Sequence, residues 1–163
     1  MTEAFIPAEF HPPLEARVGQ YVLRPLTEAY LAQDLAAVNA SAETIRKVRG
    51  GTWPKGAITE EEDHADLVEH GRQFRERAAF AYSVLTQDER ECAGCVYIYP
   101  PRHPFDDSDQ SAMPADADAA VSMWVTRAAY ETGFYPVLYG FVTEWIAQAW
   151  PFKRAYYSNH EAP

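Results

Sequence analysis

Chemistry in this sequence has few places to sit: a pair of cysteines, an acidic helix with histidines, one basic cluster, and a glycine behind a polar turn. Cys92-Ala-Gly-Cys95 invites a metal or redox reading. The pair lies inside a strand-like run, Glu91 to Tyr99, where an odd spacing sends two side chains to opposite faces. No second cysteine pair completes a zinc site. Two reduced, packed thiols are therefore expected. Asp63, His64, Asp66, Glu69 and His70 fall on one helical stretch, and Asp66 and His70 share a face at i, i+4. No third ligand is fixed nearby, so this stretch reads as a solvated face and no metal site is expected.

Arg46, Lys47 and Arg49 are the densest positive patch in an acidic chain. They complement the end of a helix dipole, or they meet an anionic part of a substrate; both readings stand. Gly133 follows a polar turn and opens a long apolar helix. Free N–H donors and the dipole at such a start favour an anion, and a small residue lets it approach.

The elements that must position these groups centre on Ala119 to Trp150. Ala119 to Val125 is a short apolar run that suits a buried strand. Thr126 to Gly133 is the turn, and about four helical turns close at Trp150-Pro151. Trp145 and Trp150 belong to the core side of that helix. Upstream, residues 1–19 form an arm, its first fourteen residues extended or loosely packed with three prolines. Gln20 to Leu26 is a first strand. Thr27 is an N-cap, and Leu31, Leu35 and Val38 give an apolar helical face. A second short helix begins at Ser41 and ends before Gly50-Gly51. Thr59 to Glu62 is a capping box opening a helix to about Arg77. Phe80 to Thr86 and Glu91 to Tyr99 form an antiparallel hairpin. A long Pro- and Asp-rich loop follows, up to Asp118, and Lys153 to Ser158 is the last strand. The order predicts an α/β (α+β) fold: a mixed, mainly antiparallel sheet flanked by helices, within a single domain over residues 20–163.

Several segments together resemble the GNAT superfamily of acyl-CoA-dependent N-acyltransferases. They are Val22-Leu23-Arg24-Pro25-Leu26, Ala93-Gly94-Cys95-Val96-Tyr97-Ile98, Val121-Ser122-Met123-Trp124-Val125, and Trp150-Pro151-Phe152 through Tyr156-Tyr157. Their order and spacing carry the likeness over roughly residues 20 to 158. The family's pyrophosphate loop, (Gln/Arg)-x-x-Gly-x-(Gly/Ala), falls on Tyr130-Glu131-Thr132-Gly133-Phe134-Tyr135. Gly133 is kept; Tyr130, Tyr135 and the following Pro136 depart from the pattern.

The resemblance implies transfer of an acetyl group from acetyl-CoA, as co-substrate, to a primary amine of a small molecule or peptide. Backbone groups of Met123, Trp124 and Val125 would pair with the pantetheine arm. Gly133, Phe134 and Tyr135 would face the pyrophosphate, and Asn159 would touch the cofactor from the end of the last strand. Asp118 is the candidate general base, since the family's strand carboxylate is replaced by Ala120. The family's next helix and its tyrosine acid are not in this sequence, which leaves a sheet flank for a partner subunit; a homodimer is the corresponding expectation. The altered loop keeps a second reading open, a catalytically inactive GNAT-like binding or oligomerisation module.

Composition sets the remaining limits. A formal charge of −10 over 163 residues argues against nucleic acid or an anionic membrane as partner. It suits a cationic amine, as does the acidic loop Asp106 to Asp118. No apolar run approaches a membrane span, and the N-terminus does not read as a signal peptide, so a cytoplasmic location is expected.

Overall fold

The computed structural model describes residues 3–163. Six strands lie in sequence order across one sheet: β1 (Ala16–Val18), β2 (Tyr21–Pro25), β3 (Phe80–Thr86), β4 (Cys92–Tyr99), β5 (Ala119–Val125) and β6 (Ala155–Tyr157). Every neighbouring pair is antiparallel except β5 and β6, which are parallel. The parallel step needs a crossover, supplied by α3 (Arg127–Glu131) and α4 (Phe134–Ala149). Two further helices, α1 (Leu31–Arg49) and α2 (Glu60–Arg75), join β2 to β3. The expected mixed sheet with flanking helices is the architecture observed.

Strands β4 and β5 are buried at every position. One face of the sheet takes α1 and α2, and the other takes α4, whose Leu138, Val142 and Ile146 are buried. Tyr82 on the α4 face packs against Trp145 and Trp150, as expected of the two tryptophans. Thr59 caps α2 as the capping box predicts, accepting from Glu62 N at 3.1 Å.

Three differences from the sequence reading bear on function. First, the helix ending at Arg49 is continuous by its hydrogen bonds but breaks at Ser41, whose φ of −135° is not helical. The Ser41 hydroxyl accepts from Arg127 N at 3.0 Å, which docks the break onto the start of α3. Second, the buried stripe of α1 runs through Asp34, Ala37, Val38, Ser41, Ile45, Val48 and Arg49, so a carboxylate and a guanidinium sit at its two ends. Third, the arm is not loose. Ile6 is in the core, Phe5 and Phe10 pack on it, and Ala16–Val18 pairs with β2 as an edge strand.

Candidate functional site

The strand pair β5–β6 is short and ends abruptly. Its register runs Ala119 to Ala155, Ala120 to Tyr156 and Val121 to Tyr157, with one more bond from Ser158 N to Val121 O at 3.0 Å. Beyond it the strands part. The next residue on that edge of β5 is Met123, and the Asn159 side chain fills its place in the ladder. Asn159 Oδ1 accepts from Met123 N at 2.9 Å, and Asn159 Nδ2 donates to Met123 O at 2.9 Å. Backbone direction alternates along a strand. Thr126 N bonds Ala93 O on the β4 side, so Trp124 also faces β4, whereas Val125 turns its N–H and C=O to the open edge.

Residues 158 to 161 form a strap across this gap. His160 N bonds Arg49 O, and Glu161 N bonds Val48 O at 3.0 Å. Tyr135 OH donates to Glu161 O, and Asn159 Nδ2 reaches Tyr135 OH at 2.8 Å. Tyr130 OH donates to the Glu161 carboxylate at 2.9 Å and accepts from Lys47 Nζ at 3.0 Å. Gly50 ends α1 at φ 89°, and a Cβ there would come 2.5 Å from the His160 ring, so the strap needs glycine at this point.

The segment Thr126 to Gly133 is not an open turn. Thr126 caps a short helix, accepting from Ala129 N at 3.2 Å, and Ala128-Ala129 favour that turn. The N–H groups of Thr132 and Gly133 are spent on Ala128 to Tyr130 carbonyls. Gly133 then links α3 to α4 with φ 84°. The first-turn amides of α4 are those of Phe134 and Tyr135, because Pro136 has none. A cavity of about 440 Å³ lies beside them, lined by Gly19, Gln20, Tyr21, Thr132, Gly133, Phe134 and Val137. The side chains of Phe134 and Tyr135 point into the core, Phe134 against Tyr21 at 4.3 Å between ring centres.

On the α1–α2 face the parting of β5 and β6 adjoins a buried polar layer. Arg49, 3 % exposed, donates to Ser122 Oγ at 3.0 Å and to Asp107 Oδ1 at 2.6 Å. It also pairs with Asp106 at 3.5 Å and lies over the Tyr97 ring at 4.7 Å. Arg46, Lys47 and Arg49 all lie in the last turn of α1, as the dipole reading expects, and Arg49 is in addition the centre of an internal ion-pair network. Trp124, expected as core, is fully buried and donates its indole N–H to Tyr97 OH at 2.8 Å.

Beneath Arg49 is a cavity of about 200 Å³, lined by Arg49, Trp53, Asp66, His70, Tyr97, Tyr99, Phe105 and Asp107. Burial, and the charges of Asp63 and Asp107, push the Asp66 carboxyl up to about 6. Burial, and then the Arg49 charge, push His70 down to about 4, so its imidazole is neutral at pH 7. The helix face expected to be solvated is thus half internal: Asp63 and His70 are buried, and His64 is exposed. Sequence reasoning read Asp66 as part of a solvated face and missed it as a half-buried carboxyl lining a cavity. The available signal was its i, i+4 pairing with His70 beside Leu67, a core residue.

Asp118, the base expected from sequence, has another task. Its oxygens accept from Lys153 N at 2.6 Å and Arg154 N at 2.9 Å, which fastens the start of β6 to the start of β5. It lies five residues, about 16 Å of strand, from Met123. Asp116 binds Arg154, and Asp109 meets His160 at 3.3 Å. With Asp106 and Asp107 on Arg49, several carboxylates of the acidic loop are matched by this chain's own cations, which removes much of their pull on an external amine. The loop is also packed, with Ser108, Met113 and Ala117 buried.

No protein-family model matches the sequence, and no curated protein matches it. Solved structures do. The ribosomal-protein-S5-alanine acetyltransferase of Vibrio fischeri superposes with a TM-score of 0.60 at 13% identity, over 84% of this chain and 69% of that one. RimL, the ribosomal L7/L12 alpha-N-protein acetyltransferase in complex with coenzyme A, gives 0.57 at 15% identity, over 80% and 67%. A spermidine N-acetyltransferase chimera from Vibrio cholerae and hSSAT gives 0.52 at 11% identity, over 81% and 66%. At such identities the likeness is one of fold. The chain has the GNAT acetyltransferase fold, as the sequence resemblance implied.

Proposed function

We propose that this protein is a member of the GNAT superfamily that transfers an acetyl group from acetyl-CoA to a primary amine. The observation that supports the reading is the parting of β5 and β6 after Val121 and Tyr157, where the Asn159 side chain and not a strand takes the Met123 backbone groups near the start of α4. The fold is shared with N-acetyltransferases of ribosomal proteins and spermidine, one of them bound to coenzyme A.

In this reading the pantetheine arm runs along the Met123, Trp124 and Val125 edge and uses the outward N–H and C=O of Val125. Met123 is freed for it when Asn159 swings aside. The pyrophosphate lies at Gly133, Phe134 and Tyr135, where the α4 dipole and two first-turn amides favour an anion. The amine enters the cavity beneath Arg49, and Asp66 takes its proton. A carboxyl poised near 6 is largely ionised at pH 7 and remains basic enough for that step. The thioester is already activated, so alignment and deprotonation are the chief demands on the protein. A cytoplasmic location and a homodimer formed along the exposed β6 edge belong to the same proposal; a monomeric mass by light scattering at micromolar concentration removes the dimer.

A second reading has its own observation. Asn159 and Glu161 occupy the gap in which the pantetheine would lie, which suits an inactive GNAT-like binding or oligomerisation module. One titration separates the two. Acetyl-CoA at a hundred times its Kd stabilises a binding protein by about 2.7 kcal/mol. A saturable rise in melting temperature, followed by amine-dependent release of coenzyme A, is expected of the enzyme. No shift at millimolar acetyl-CoA overturns it in favour of the module.

A further inference from the structure

The two cysteines do not lie on opposite faces. In the β3–β4 pairing Leu85 faces Cys92 and Val84 faces Gly94, so Ala93 is an extra residue bulged out of the ladder. One added residue shifts the alternation by half a period, and side chains three positions apart emerge on the same side. There the two Sγ atoms and a carboxylate oxygen of Asp34, from α1, all lie within 4.8 Å of one another. Cys95 Sγ is 3.6 Å from Asp34 Oδ1, and all three residues are buried. Behind Asp34 stands the Asp63 carboxyl of α2, 2 % exposed and close enough to share a proton with it, and its Oδ2 has no partner. Four acidic groups thus meet in the interior. Among the described residues no Lys, Arg or His is paired with either carboxylate.

We propose that Asp34, Cys92 and Cys95 are the ligands of a divalent, thiolate-binding cation, zinc above all. Burial holds Asp34 and Cys95 in their protonated forms in the metal-free protein, and a dication, displacing those protons, would turn two sulfurs and a carboxylate already within reach of one another into its ligands. Two thiolates with one carboxylate select zinc over magnesium or calcium, which take oxygen ligands. Tetrahedral zinc holds such atoms roughly 3.5 Å apart, so the side chains close on it by about an ångström without moving the strand. Asp63 fixes the Asp34 carboxylate as an outer hydrogen-bond partner. Three protein ligands leave a fourth position. Cys92 also lines a cavity of about 830 Å³ with Ala37, Ser41 and Thr126, which gives water and metal a path to it. The ion would tie α1 and α2 to the bulged end of β4, and its binding is independent of acyl transfer.

The test uses the full chain, stripped with a chelator and titrated with cobalt(II). A thiolate-to-cobalt charge-transfer band saturating at one equivalent is expected, and one equivalent of zinc should abolish it. Zinc should also shield both thiols from a thiol reagent in the folded protein, and a chelator should restore their reaction. Cys92→Ser, at the rim of the cavity, should lose the band while keeping the wild-type circular dichroism spectrum. Asp63→Asn should keep it and weaken zinc by about 10- to 100-fold. The proposal is overturned by a folded wild-type protein with no band, by thiols that react equally with and without zinc, or by a band unchanged in Cys92→Ser. The wild-type measurements decide the matter even if a variant fails to fold.

Discussion

The Asn159 side chain completes the hydrogen bonding of the Met123 backbone, taking its N–H and its C=O at 2.9 Å each where β6 no longer can. This is a sheet bond made by a side chain. It keeps a buried strand satisfied at the point where its neighbour departs. Asn159→Ala removes both partners and takes from Tyr135 OH the bond it accepts, while its own bond to Glu161 O remains. Each stranded group costs about 1–3 kcal/mol, so urea unfolding should show a loss of about 2–5 kcal/mol. A loss below about 1 kcal/mol would mean that water replaces the amide and that the gap is already open.

Arg49 should behave as a buried charge with one buried partner, Asp106, and one half-exposed partner, Asp107. The Asp106 side chain is 1% exposed and the guanidinium side chain 4% exposed. Arg49→Ala strands the buried Asp106 beside Tyr97, whereas the Asp107 side chain, 46% exposed, turns to water; the loss should be about 3–5 kcal/mol. Arg49→Ala with Asp106→Asn and Asp107→Asn should recover part of that loss. Independent, additive losses in the same unfolding experiment would refute a shared network.

The contrast between Arg49 and Thr59 shows what could be read from sequence and what could not. Thr59 to Glu62 is a local signal, complete within four residues, and its N-cap half appears in the structure, Thr59 Oγ1 accepting from Glu62 N. The hairpin and the helix boundary at Ser41 are local in the same sense, whereas the turn expected over Thr126 to Gly133 is mostly a short helix, α3. The burial of Arg49 depends on Asp106, Asp107 and Ser122, which are 57 to 73 positions away. No periodicity carries that information. The Cys92–Cys95 face is the opposite case: one bulged residue, Ala93, reverses an alternation rule that is otherwise sound. The partners of Asp118, the amides of Lys153 and Arg154, lie 35 and 36 positions away across the crossover, and no local pattern announces them.

Asp66 and His70 should give opposing pH dependences. The folded state holds His70 near 4 against an ordinary 6.5, so the unfolded chain takes up a proton first on acidification. Its contribution is complete above pH 6.5 and is lost as pH falls toward 4, roughly 3 kcal/mol in all. Asp66 is raised to about 6, so the folded state keeps a proton that the unfolded chain has released. Its contribution is complete below about pH 4 and is lost as pH rises through 6. Asp66→Asn should therefore lose stability more steeply than the wild type between pH 6.5 and 4. His70→Phe should decline relative to wild type as pH rises from 4 to 6. On the proposed chemistry, kcat/KM for an amine rises through about pH 6 in the wild type, and Asp66→Asn lowers it about 100-fold or more. An unaltered rate in Asp66→Asn would place the base elsewhere.

Gly133 separates fold from ligand more cleanly. Its φ of 84° disfavours a side chain, yet a Cβ there would meet nothing within 4 Å. Gly133→Ala should therefore stay folded, with a strain cost of about 1–2 kcal/mol. The space that receives the methyl group is open because it lies outside the protein's own packing, at the start of α4. That is where the pyrophosphate of acetyl-CoA is proposed to approach the Phe134 and Tyr135 amides. The methyl should raise the calorimetric Kd for acetyl-CoA by about tenfold or more, since a phosphate held off first-turn amides loses charge-assisted hydrogen bonds of about 1.5–3 kcal/mol. Binding of dephosphorylated pantetheine, which lacks the pyrophosphate, should change little. Equal affinity of wild type and Gly133→Ala for acetyl-CoA would put the phosphates at another surface, and a matching loss for pantetheine would trace the effect to a shifted α4 instead.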